Sequence, residues 1–88
     1  GYIRIIKIKP HDHLQLIDQI MELIDVRVSQ ASAEDVIYRL VEEKVISARE
    51  AKIMVSVMDR SVLYLGLPER DELRARMLTA MLTTLKYR

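Results

Sequence analysis

From residue 10 onward, apolar residues recur at helical spacing and are broken at intervals by short polar segments. Leu14, Ile17, Met21 and Ile24 stand three, four and three residues apart, and Leu16, Ile20 and Leu23 widen that stripe. This period predicts a first helix running to about Ile24. Asp12 is its expected N-cap, with Gln15 three residues on completing a capping box. Residues 26–31 read as a connector. Ser32 is then expected to cap a second helix, with Val36, Ile37, Leu40, Val41 and Val45 inward and Glu34, Asp35, Glu42 and Glu43 outward. Ser47-Ala48-Arg49-Glu50 fits the S-x-x-E box, in which hydroxyl and carboxylate each satisfy an orphan backbone N–H. A tight turn near 44–46 therefore leads into a third helix. Gly66 is expected to end it and Pro68 to start a fourth, whose apolar face is Leu73, Met77, Ala80, Met81 and Leu85.

The third helix differs from the others. Ala51, Met54, Val55, Met58, Val62 and Leu65 make one stripe, while Ile53, Val57, Leu63 and Tyr64 fall on other sides of the same cylinder. A helix that is apolar nearly all round is buried or spans a membrane. Lys52, Asp59 and Arg60 interrupt this one well short of the ~20 apolar residues that a span needs. Burial at the centre of a small bundle, or at a seam between two copies, is the reading that follows.

Residues 2–9, YIRIIKIK, are β-branched and basic, and Pro10 closes them. They predict one strand, with Arg4, Ile6 and Ile8 on one face and Ile3, Ile5, Lys7 and Lys9 on the other. A lone strand leaves its backbone groups unpaired. Within the chain only Val26, Arg27 and Val28 could answer it; pairing across a dimer axis would place Ile3 and Ile5 in an isologous interface. The expected fold is mainly α: one N-terminal β-strand followed by a compact bundle of four helices with helix 3 central, as a single domain over residues 1–88. A domain of a larger protein is as consistent with these ends as a complete chain.

Composition narrows the function. Half of the 88 residues are hydrophobic, with no Phe or Trp and four Tyr. So large an aliphatic supply in so small a domain leaves apolar surface uncovered, and such patches mark contacts with other chains. Self-association, or docking on another protein, is the resulting expectation. The absence of cysteine excludes disulfides and thiolate metal sites and fits a cytoplasmic protein, and no membrane segment is evident. Lys plus Arg is 14 against 13 for Asp plus Glu, which leaves no strong footprint for nucleic acid.

Catalytic chemistry finds little support. His11 and His13 form a His-x-His pair without further ligands at useful spacing, so capping or solvent contact is expected there and metal binding is not. Glu42–Glu43 and Asp71–Glu72 read as solvated helix surface. No glycine-rich phosphate loop or nucleophile elbow is present. The expectation is a non-enzymatic interaction or homodimerisation module without cofactors.

Two sets of residues are candidates for that role. Met54 and Met58 on helix 3, with Met77 and Met81 on helix 4, are ordinary gap-fillers if those helices pack together. They are also interface candidates, alongside Ile3 and Ile5, if the helices face a partner. The second set is Arg4, Lys7 and Lys9, with no acid among residues 1–10. The order of a basic strand, Pro10, a helix carrying Ile17-Asp18, and a second helix over Ser32–Val41 resembles the ribbon-helix-helix repressors. The resemblance covers about half the chain and implies a small dimeric DNA-binding regulator that inserts paired strands into the major groove. Helices 2 and 3 make a poor helix-turn-helix, because the second is apolar where base edges require polar side chains.

Overall fold

The computed structural model describes the backbone of residues 10–88 and the side chains from His13 onward. It contains four helices: α1 (Pro10–Leu23), α2 (Gln30–Glu42), α3 (Ala48–Ser61) and α4 (Leu67–Lys86). The strand expected over 2–9 lies outside the described residues. The Val26–Val28 alternative forms no strand; Val28 instead buries its side chain and donates its N–H to the Asp71 carbonyl at 3.2 Å, docking the α1–α2 connector on α4.

Two helix starts move toward the N-terminus. Pro10 is the first residue of α1, so Asp12 falls inside the first turn and not at the cap. The fixed φ of proline suits this position, where no intrahelical N–H partner is needed. α2 is capped by Ser29, three residues before Ser32. The Ser29 Oγ accepts the Ser32 N–H at 3.2 Å, and Ser32 is the third helical residue. Either serine satisfies the local rule, and Ser29 is the one that caps the helix. The Ser47–Glu50 capping box forms as expected, with Glu50 N–H to Ser47 Oγ at 3.1 Å and Ser47 N–H to Glu50 Oε1 at 2.9 Å.

The α2–α3 turn is a Schellman-type cap. Lys44 adopts φ 62° and donates to the Val41 carbonyl at 3.0 Å, while Val45 donates to the Leu40 carbonyl at 2.9 Å. A left-handed lysine is disfavoured by its Cβ, by roughly 1 kcal/mol. Lys44→Gly is therefore expected to raise the urea midpoint, by up to about 1 kcal/mol of stability before glycine's greater unfolded entropy is subtracted. A lower midpoint would show that the lysine side chain holds the turn by other means.

Gly66 does not end α3, which stops at Ser61 with Val62 as its C-cap. Gly66 is the N-cap of α4, in extended geometry at φ −71° and ψ 168°. The four intervening residues are held by Arg70, whose Nε donates to the Leu65 carbonyl at 2.6 Å and Nη2 to the Leu63 carbonyl at 3.3 Å.

The packing order corrects one expectation. α2 packs on both α3 and α4, and α1 packs on α4, whereas α3 and α4 are not principal partners. The interior therefore centres on α2 and α4, not on helix 3. Ile17, Ile37, Leu40, Leu78 and Leu82 are its largest fully buried side chains. α3 contributes only Ala51 and Met58 from within the helix, then Val62 at its cap. The apolar residues on its other sides stay outside the core.

Candidate functional site

The candidate residues separate into three groups. Ile3, Arg4, Ile5, Lys7 and Lys9 lie outside the described residues. Met58 is 2% exposed and sits in the core. Met54, Met77 and Met81 are half-buried along the rim of the core, on the flanks of α3 and α4. They neither seal a full α3–α4 contact nor stand free.

The exposed apolar surface lies elsewhere, and half of its large side chains fall between residues 53 and 67. Ile53 and Val57 on α3 are 56% and 42% exposed, and Leu63, Tyr64 and Leu67 in the following turn and at the start of α4 are also open. Ile53, Val57, Leu63 and Tyr64 were visible in the sequence as apolar positions off the main stripe; Leu67 was not singled out. Burial all round was the natural inference, because a soluble monomer rarely leaves so long a line uncovered.

A second surface surrounds the outer side of α4. An open groove of about 520 Å³ runs between the α1–α2 connector and α4, lined by Ile24, Val26, Ala75, Thr79 and Ala80 among others. Its hydroxyls are satisfied internally. Thr79 donates to the Ala75 carbonyl at 2.9 Å, Thr83 to Thr79 at 2.8 Å, and Thr84 to Ala80 at 3.0 Å. The Arg76–Glu72 ion pair (2.7 Å) lies along the same helix.

Several charges on the described residues tie elements together. Lys86 Nζ meets Asp18 Oδ1 at 2.7 Å, fixing the end of α4 to α1, and this hydrogen bond raises the Lys86 pKa. Arg88 reaches Glu50 Oε2 at 2.9 Å and the Val45 carbonyl at 3.0 Å, holding the C-terminus to the start of α3. The Ser47 backbone N–H, followed by Arg88, lowers the Glu50 pKa. No cluster of three or more His, Cys, Asp or Glu suited to a metal occurs among the described residues, and none of their helices is long and apolar enough to cross a membrane. What this surface offers is contact area with a second protein.

Comparison with known proteins agrees with that offer. Residues 12–83 match the family described as the CtsR C-terminal dimerization domain. This chain belongs to that family. The chain is 75% identical over its whole length to the transcriptional regulator CtsR of Geobacillus stearothermophilus, of which it covers 58%. It is 64% identical to that of Bacillus subtilis, covering 57%, and 37% identical to that of Staphylococcus aureus strain USA300, also covering 57%. A crystal structure of CtsR in complex with a 26 bp DNA duplex superposes with TM-score 0.82 at 73% identity, over 94% of this chain and 54% of that one. The chain thus spans a little over half the length of the relatives it matches. These relatives are named as transcriptional regulators, and the matched family is a dimerization domain.

Proposed function

We propose that this chain joins two copies of a DNA-binding transcriptional regulator, as the homodimerisation module of that protein. The observation that carries the reading is the line of open apolar side chains from Ile53 to Leu67 in a member of a dimerisation family. Dimeric regulators place two reading elements at a fixed spacing on DNA, so a pairing module sets the geometry of recognition without itself touching bases. Light scattering on the 88-residue chain across a range of concentrations tests it. A mass of two chains that persists on dilution is expected, and a single-chain mass at every concentration would refute the reading.

A second reading, favoured by the basic, acid-free run at residues 1–10, has Arg4, Lys7 and Lys9 contributing contacts to DNA phosphates. Phosphate contacts release counterions, so each one steepens the dependence of binding on salt. Lys7→Glu with Lys9→Glu is expected to reduce the log–log salt slope by about 2 while leaving the dimer mass unchanged. An unchanged slope would remove these residues from the DNA contact. Loss of dimer and DNA binding together would assign them to the pairing surface instead.

A further inference from the structure

α3 carries two apolar faces. Ala51 and Met58 lie on the inner one, at 1% and 2% exposure. At about 100° per residue, Ile53 and Val57 lie roughly 200–240° around the helix from Ala51, on the outer one. Glu50 and Arg60 continue that outer line, three residues before Ile53 and three after Val57. Among the described residues Arg60 makes no ion pair, and Glu50 keeps one oxygen on the Ser47 N–H and the other on Arg88. The line Glu50, Ile53, Val57, Arg60 therefore has spacings of three, four and three. It reads the same from either end in apolar character and opposite in charge.

Such a line is complementary to itself under a two-fold rotation that sets two helices antiparallel. With the axis level with Val55, Ile53 meets the partner's Val57 and Glu50 meets the partner's Arg60, each contact occurring twice, as an isologous interface requires. A parallel arrangement would oppose Glu50 to Glu50 and Arg60 to Arg60, and like charges disfavour it. Ionised carboxylates have about four acceptor sites, so Glu50 can receive the partner's Arg60 without releasing Ser47.

Area points the same way. Ile53, Val57, Leu63, Tyr64 and Leu67 together expose several hundred Å² of apolar surface, approaching the ~800 Å² that each partner gives to a standard interface. The groove beside α4 is lined by Ile24 and Val26 as well as Ala and Thr side chains, but Asp25, Glu72 and Arg76 interrupt its apolar lining. We infer that a second copy of this chain packs on the outer face of α3, with the two α3 helices antiparallel across a two-fold axis and Ile53 against the partner's Val57. This inference rests on the dimerisation reading above and adds the surface and the orientation.

The test combines mass and cross-linking on the 88-residue chain. Ile53→Glu with Val57→Glu is expected to raise the dimer dissociation constant by about 100-fold or more, since it buries like charges at the seam centre. Helical circular dichroism should stay the same, because both positions are exposed in the single chain. Ala80→Glu on α4 should leave the dimer intact. A double variant that remains as dimeric as the parent, or an Ala80→Glu variant that dissociates, overturns the inference while leaving dimerisation standing. A parent chain that is monomeric throughout overturns dimerisation itself. The chain has no cysteine, so a milder pair of variants reads the orientation directly. Mixing Ile53→Cys with Val57→Cys under oxidation should give mainly the 53-to-57 disulfide. Predominance of 53-to-53 and 57-to-57 products, or no cross-linking, overturns the antiparallel seam even if the charged variant fails to fold.

Discussion

Leu78→Ala is expected to cost about 3 kcal/mol of unfolding free energy, enough to remove much of the stability of a domain this small. Leu78 is fully buried on α4, in the layer shared with Leu40 and Ile37 of α2 and Ile17 of α1. Truncation there removes the transfer free energy of the lost carbons and leaves a cavity. Three separate helices would have to shift together to fill it. α4 is also the helix on which both α1 and α2 pack, so its loosening spreads to each. Urea unfolding at one fixed protein concentration is the measurement, because the apparent stability of a self-associating chain depends on concentration. Leu23→Ala, at a site 84% exposed in the single chain, should change the midpoint by less than about 0.5 kcal/mol and serves as the comparison. A cost below about 1 kcal/mol at Leu78 would mean that the α1–α4 and α2–α4 contacts are looser than described.

Among the described residues, the number of helices was legible because the signals were local. Period 3.6 in the apolar positions, the Ser47–Glu50 box and Pro68 each act within one turn of helix, and each is reproduced. Errors arose where two residues satisfied one local rule. Ser29 and Ser32 can both cap α2, and nothing local in the sequence decides between them. Gly66 can end one helix or begin the next, and the Arg70 side chain, bonding carbonyls five and seven residues back, sets the length of the turn that decides it. The left-handed Lys44 carried no compositional signal at all.

The surface was harder to read than the fold for a related physical reason. Apolar residues on every side of α3 imply burial, but composition does not say whether the covering atoms come from the same chain. Ile53 and Val57 are open because α3 packs chiefly on α2, which leaves its outer apolar side for something outside the monomer. The methionines divide between two environments. Met58 completes the core, and Met54, Met77 and Met81 line its rim. Adaptable side chains fill internal gaps as readily as they coat a partner surface.

Arg74 is expected to give the second large effect, and the direction of its variants distinguishes charge from packing. The residue is only 6% exposed, the one polar or charged member of the buried set among the described residues. Its Nη1 bonds Asp71 Oδ1 at 2.9 Å, and Nη2 approaches the Gln30 Oε1 at 3.5 Å, linking α4 to the start of α2. Its Nε is buried without a partner, which weakens the net benefit of the charge. Arg74→Ala removes the long aliphatic stem together with the cation and should cost about 2–3 kcal/mol. Arg74→Met keeps most of the volume and discards the unsatisfied nitrogen. Asp71, about a third exposed, can return its carboxylate to water, so this variant should fall within about 1 kcal/mol of the parent. Asp71→Asn reverses the asymmetry by stranding a nearly buried guanidinium, and should cost more than Arg74→Met. If Met proved as damaging as Ala, the ion pair and not the stem would be what holds the α2 start to α4. Arg74 bonds Asp71 of α4 and Gln30 of α2 and no residue of α3, so the Met variant should keep the parent's dimer mass.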